Sequence, residues 1–246
     1  MTVRWFHTLD STNSEALRKL SELPSGTVLA AWEQTAGRGQ RSNRWFSEPG
    51  RNLTFSIVLK FGPDALAPLP ATRAVWLNEL ISVAVADFLS GFGLRSEIKW
   101  PNDIYVRGRK ICGILIENSL APDATLAASV IGVGINLNQR VFPQLANATS
   151  LALERDPATP WELAPTLEQF LAVFEGLLPR LGSPALREAY QARLFRKDTW
   201  ARYRDLLLDQ EFTGILEGVE ADGRLRIRDE EGRKRFFRFK ELSFIL

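Results

Sequence analysis

Gly37-Arg38-Gly39-Gln40-Arg41-Ser42-Asn43-Arg44-Trp45 and Lys99-Trp100-Pro101-Asn102-Asp103 are the two stretches on which the reading of this chain turns. The first joins two glycines, three arginines and a tryptophan in a segment too polar and irregular for a core. The second stands just upstream of Arg109-Lys110, which opens the apolar run Ile111-Cys112-Gly113-Ile114-Leu115-Ile116-Glu117. Glycine gives backbone freedom, guanidinium forks match phosphate or carboxylate oxygens, and an indole face accepts a base. Together they suit a nucleotide. The loop is not a Walker A motif, because no Gly-Lys-Ser/Thr closes it, and it is not a dinucleotide fingerprint. A solvated loop with incidental charge is the plainer reading of the same residues.

Working outward, Thr2–Leu9 reads as a strand, and Thr12 with Glu15 fits a capping box opening a helix. Val28–Trp32 reads as strand. Leu53–Leu59 alternates large and small residues like a half-buried strand. A long apolar helix is expected over about Ala71–Ser90, ended by Gly91-Phe92-Gly93. Strands are expected at Glu97–Trp100, Asp103–Val106, Ile111–Glu117 and Ser129–Ile135, with Arg107-Gly108-Arg109 turning an antiparallel hairpin. Thr159 as N-cap and Pro160 in the first helical position open a further helical region, broken near Leu181-Gly182-Ser183-Pro184. From about residue 201 the pattern becomes short-period, with Asp222-Gly223 and Glu231-Gly232 turns, which predicts a small antiparallel barrel. Residues 1–200 are therefore read as the main domain and 201–246 as the appended one. In Arg233–Lys240 the strand alternation predicts Phe inward and Arg outward.

Of 246 residues, 45% are hydrophobic and 24% charged, the balance of an ordinary globular protein. A formal net charge of +2 argues against nucleic acid as the main partner. One cysteine, Cys112, rules out an internal disulfide, and with one histidine, His7, there is no zinc-like ligand set. Cys112 reads as an inert buried thiol and His7 as a strand residue. There is no secretory signal and no uninterrupted apolar span, so a cytoplasmic protein with no membrane partner is expected. Gly132-Val133-Gly134-Ile135-Asn136 lacks the third glycine of a dinucleotide motif and reads as a strand end admitting close approach.

Taken in order, these segments resemble the biotin protein ligases: Asp10-Ser11-Thr12-Asn13, Gln34 to Gly39, Arg44-Trp45-Phe46, Lys99 to Asp103, Lys110 with Gly113 to Glu117, and Gly132 to Asn136. The resemblance implies an α+β fold: a mixed β-sheet flanked by helices, of the type shared with class II aminoacyl-tRNA synthetases and lipoate ligases, followed by an SH3-like barrel. It implies that biotin and ATP give biotinyl-5′-AMP, and that a lysine of a biotin carboxyl carrier protein then takes the biotinyl group. Lys110 and Arg38 are the implied catalytic pair, offsetting the repulsion between carboxylate and α-phosphate, about 4 kcal/mol at about 4 Å. Ser11, Thr12, Asn13 and Gln34 are implied on the biotin side, with Gly39, Gln40 and Gly113. On the nucleotide side stand Arg41, Arg44, Trp45 (stacked on adenine) and Lys99. Asn102, Asp103, Gly134 and Asn136 complete that side. Mg2+ is expected on the ATP phosphates, with Asp103 the one side chain considered as a contact.

Two departures stand out. Gln40 replaces an arginine common in the family, and Ser42-Asn43 replaces a Gly-Arg pair; either Arg41 or Arg44 compensates, or the adenylate is held less tightly. The match also begins within ten residues of Met1, so an enzyme without an operator-binding domain is expected. Monomer and homodimer are both compatible with the pattern. The competing functions are a lipoate or octanoate ligase, a non-catalytic biotin sensor and, least favoured, a nucleic-acid-binding barrel.

Overall fold

The computed structural model describes every residue except Arg41, Ser42, Asp64, Gln144, Ala146 and Leu246. Its larger sheet begins with a parallel pair, β1 (Thr2–Leu9) and β2 (Thr27–Gln34), joined through α1 (Thr12–Arg18). β3 (Leu53–Lys60), β4 (Glu97–Lys99), β5 (Asp103–Val106), β6 (Arg109–Leu120) and β7 (Leu126–Ile135) add antiparallel ladders, giving the spatial order β1-β2-β3-β7-β6-β5-β4. The sheet is therefore mixed. Arg107 and Gly108, at φ 50 and 75, make the left-handed pair that a tight hairpin between β5 and β6 requires.

Strand alternation divides this sheet into two unlike faces. Phe55 and Ile57 of β3, with Ile131, Val133 and Ile135 of β7, join the main apolar core. That core also holds α2 (Val75–Gly91), α4 (Leu163–Leu177) and α5 (Pro184–Ala192). On the opposite face α1 packs through Ala16 on Leu29, Val58 and Val130. β3 is thus covered on both sides and buried along nearly its whole length, not half-buried as its alternation implied. Within residues 71–91 an 18-residue window reaches a mean hydropathy of 1.3, so the segment is apolar and long enough to cross a membrane by those criteria alone. With 61% of that window buried in the fold, it serves as the central core helix.

Two helix starts differ from expectation. Ser11, not Thr12, caps α1: it is extended (φ −159, ψ 136) and its Oγ accepts from Ser14 N–H at 3.5 Å. Thr12 N–H donates to Gln34 Oε1 at 2.7 Å, and Glu15 turns to Arg18 and Lys19 rather than back to the cap. α4 starts at Leu163, not after Thr159. The reason is Asn138, whose Oδ1 accepts from Trp161 N–H at 3.0 Å while its Nδ2 donates to Trp161 O at 2.8 Å, holding that segment outside the helix. A short helix, α3 (Leu151–Arg155), lies where no element was expected.

The second sheet contains β8 (Trp200–Asp205), β9 (Gln210–Val219), β10 (Leu225–Asp229), β11 (Lys234–Phe237) and β12 (Leu242–Phe244), all antiparallel. Its order is β11-β10-β9-β8-β12, and among the described residues β11 and β12 share no ladder. The expected barrel is therefore a five-stranded sheet in its recorded pairing. The inward-Phe, outward-Arg pattern holds only in part. Phe237 is buried, but Phe236 is exposed, and Arg235 turns inward to Asp205 at 2.6 Å, 4.0 Å above the Phe212 ring. Phe236 and Phe237 are neighbours, so only one can face inward; Arg235, two residues before Phe237, shares its face and pairs there with the buried Asp205 carboxylate. One apolar core runs through both sheets. Arg187 and Gln191 of α5 donate to Val219 O, and Trp100 Nε1 donates to Gly223 O at 3.1 Å.

Candidate active site

The α1 face of the large sheet is hollowed by small residues alternating with large ones. Thr54 and Ser56 of β3 pair with Gly134 and Gly132 of β7, and Gly113 of β6 lies directly opposite Gly134. Period-two alternation sends their bulky neighbours to the other side. A Cβ on Gly132 would collide with Asn13, and one on Gly134 with the Trp45 indole. At Gly113 it would lie 3.0 Å from Trp45 Cζ3 and 3.3 Å from Lys110 Nζ. The paired glycines form a flat bed for Trp45. Above this face opens a cavity of about 390 Å³.

One end of the cavity is a buried polar network. Gln34 Oε1 accepts from both Thr12 N–H and Thr12 Oγ1–H, at 2.7 and 3.2 Å. The Ser56 hydroxyl lies 2.7 Å from Thr12 Oγ1 and 2.6 Å from Asn13 Oδ1. Asn13 Nδ2 donates to Leu115 O and, at 2.9 Å, to Glu117. Ser11, Thr12, Asn13 and Ser56 are all nearly solvent-free. Such groups keep their geometry because leaving one unpaired would cost roughly 1–3 kcal/mol.

The other end is charged. Arg38, Arg44, Lys99, Lys110 and Lys240 line the cavity against a single acid, Asp103. Arg38 grips Glu117 through both guanidinium nitrogens at 2.7 and 3.0 Å, and Lys110 pairs with Asp103 at 2.7 Å. Lys110 Nζ also stands 5.7 Å from the centre of the Trp45 ring. Lys99 Nζ donates to Tyr105 OH at 3.3 Å and lies over the rings of Tyr105 and Phe244. Burial holds the Lys99 ammonium below the ordinary lysine range and pushes the Tyr105 phenol up to about 12. The Trp45 Nε1–H is buried and has no acceptor among the described residues.

The structure thus brings to one cavity Arg38, Lys110, Ser11, Thr12, Asn13, Gln34, Gly39, Gln40 and Gly113. Arg44, Trp45, Lys99, Asn102, Asp103 and Gly134 join them there. Arg41 lies outside the described residues. Asn136 does not reach the cavity lining: it is buried, and its amide donates to Thr149 O at 2.9 Å. Asn102 lines the cavity but spends its amide on Ile114 O at 2.6 Å. Glu117 and Ser56, which orient Arg38 and the Thr12–Asn13 pair, were not singled out as site residues, although Glu117 closes the motif that holds Gly113. Phe239 and Lys240, between β11 and β12, and Phe244 of β12 also line the cavity. No motif marks them. Cys112 is buried, with its thiol pushed up by burial, as an inert core residue should be.

Comparison with known proteins agrees with this geometry. Residues 5–136 match the biotin/lipoate A/B protein ligase family. The biotin–[acetyl-CoA-carboxylase] ligase of Paracoccus denitrificans is 32% identical over 238 residues, covering 92% of this chain and 93% of that one. The bifunctional ligase/repressor BirA of Escherichia coli is also 32% identical over 238 residues, 90% of this chain but 68% of its own length. The chain spans 65% and 71% of two Bacillus proteins of that bifunctional type. The biotin protein ligase from Aquifex aeolicus in complex with biotin and ATP superposes with a TM-score of 0.77 at 25% identity, over 98% of this chain and 97% of that one. The chain belongs to the biotin/lipoate A/B protein ligase family, and within it to the ATP-using biotin ligases.

Proposed function

We propose that the chain converts biotin and ATP to biotinyl-5′-AMP and pyrophosphate, then passes the biotinyl group to a lysine of a biotin carboxyl carrier domain of a carboxylase. The observation that carries this reading is the convergence of Arg38 and Lys110, from segments more than seventy residues apart, on one cavity. A carboxylate must be pressed against a phosphate of the same sign, and fixed cations offset that repulsion in place. Arg38 and Lys110 each pair with a carboxylate, Glu117 and Asp103 respectively. The substrate anions replace or join those partners. Lys110 lies between the reacting carboxylate and the α-phosphate, and Arg38 grips the same region with its fork.

Biotin's ureido ring presents one carbonyl and two N–H groups, to which the Ser11, Thr12 and Gln34 groups are matched in type. Gln34 has already turned its Oε1 to Thr12, which leaves its Nε2 donor for ligand. Trp45, seated on Gly113 and Gly134, offers its other face to adenine, and its unpartnered Nε1–H fits a nearby acceptor. The 37–45 loop then covers the adenylate and keeps water from the anhydride.

Magnesium belongs to the reading as an ion carried by ATP. Among the described residues no cluster of three His, Cys, Asp or Glu side chains could hold a metal, and Asp103 is the one carboxylate in the lining. Bound there, the ion would neutralise phosphate charge. The reaction fits a cytoplasmic setting, where ATP and carrier domains meet. Residues 1–200 carry the motifs of the chemistry, and 201–246 form the appended unit.

The test is incubation of the purified chain with labelled biotin, ATP and a biotin carboxyl carrier domain, followed on a gel, beside biotin-dependent ATP–pyrophosphate exchange. Label on the carrier and exchange with biotin are expected. Exchange driven by lipoate or octanoate instead, or biotin binding without exchange, would overturn the assignment.

A further inference from the structure

Lys240 sits where a lysine is poorly suited. Arg238–Glu241 is a tight turn, closed by Glu241 N–H donating to Arg238 O at 3.1 Å and braced by the Glu241 carboxylate, which accepts from Arg238 N–H at 2.7 Å. Lys240 occupies its third position with φ 76, the left-handed conformation for which glycine or asparagine is usual. Backbone kept against residue preference often marks a position held for its side chain. Here that side chain lines the cavity, its Nζ 5.8 Å from the centre of the Phe239 ring. Arg38 and Lys110 each hold a carboxylate, whereas no ion pair forms at Lys240 among the described residues. Lys99 adds a second cation on this side, lying over Phe244 four residues after Lys240.

We propose that Lys240 holds the outer phosphates of ATP during adenylation, so that the second sheet supplies part of the nucleotide site. The inference rests on the functional reading given above. In the step concerned, a biotin carboxylate oxygen forms a bond to the α-phosphorus. The bond from that phosphorus to the α,β-bridging oxygen breaks, and its electron pair leaves with pyrophosphate. Arg38 and Lys110 serve the junction being made. The departing group carries most of the charge, and an ammonium that lines the same cavity with no carboxylate partner among the described residues is suited to hold it. Transfer of the finished biotinyl group to an amine involves no pyrophosphate, so Lys240 has no part in it.

That asymmetry sets the test. In the full-length chain, Lys240→Ala and Lys240→Gly should each raise the KM for ATP and for pyrophosphate in biotin-dependent exchange by about tenfold or more. Transfer from preformed biotinyl-5′-AMP to a carrier domain should stay at the wild-type rate, and Lys240→Arg should restore exchange. Lys240→Gly should match or exceed the wild-type Tm, since glycine suits the turn, which separates loss of charge from loss of fold. Exchange constants within about twofold of wild type, or an equal loss in the transfer half-reaction, would overturn the role of Lys240. A wild-type chain with no biotin-dependent exchange would instead overturn the functional reading, and this role with it.

Discussion

The two ends of the cavity are built on opposite plans. At the Ser11–Thr12–Gln34 end the polar atoms are buried and linked into a network by Ser56 and Asn13. At the Arg38–Lys110 end the charges are half exposed, and each rests on a carboxylate that an incoming anion can displace. The first plan suits a neutral ring that must be recognised by shape and hydrogen bonding. The second suits a reaction in which like charges meet and then part. Rigidity and exchangeability are divided between neighbouring stretches of the same strands, because Gly132 faces Asn13 while Gly134, two residues on, faces Trp45.

The contrast can be broken most forcefully at Lys110. Lys110→Ala should lower biotin-dependent exchange by about 10²–10³-fold with circular dichroism and Tm unchanged; a variant that exchanges normally would remove the charged end from the mechanism. Next comes Gly132→Ala, which drives a methyl into the buried Asn13 amide. It should cost about 2 kcal/mol of stability by chemical denaturation and weaken biotin binding; wild-type stability would show that the polar end is looser than its hydrogen bonds suggest. Gly134→Ala is the matched control. It lifts Trp45 from its bed, so the KM for ATP should rise about tenfold while stability and biotin affinity hardly move. If the two alanine variants behaved alike, the division into two ends would fail. The smallest effect is expected from Gln40→Arg, which should lengthen the lifetime of bound adenylate a few-fold in a dissociation assay; faster release would show that the missing arginine is compensated elsewhere.

The motif-borne part of this site's lining was legible in the sequence and the rest was not. Motifs name residues that lie close along the chain, such as Lys99 with Asp103 or Lys110 with Gly113, and local spacing fixes which face each occupies. Phe239, Lys240 and Phe244 reach the cavity only because the second sheet packs on the first, and no local spacing encodes that contact. The errors have the same origin. Thr159-Pro160 has the form of a helix start, but Asn138 takes the backbone of Trp161, 23 residues further along the chain. Thr12 has the form of a cap, but Gln34 takes its N–H. In each case a distant hydrogen bond outweighed a local preference. Asn136 shows the converse. Its motif suggested ligand contact, whereas its amide secures the loop at Thr149.

The pairing of Gly113 with Gly134 also constrains how this protein can vary in length. β6 and β7 form one long hairpin, and its register irregularity falls between Ser119 and Leu120, at the tip remote from the Gly113–Gly134 pair. Seven residues of strand, about 23 Å, separate that bulge from Gly113. Insertions or deletions near residues 120–126 can be taken up there without disturbing the two glycines. A slip of one residue below the bulge would slide Val133 or Ile135 under the indole in place of Gly134 and tilt the Trp45 ring. The hairpin tip is the place where this chain can drift, and the stem is the ruler that keeps its active site in scale.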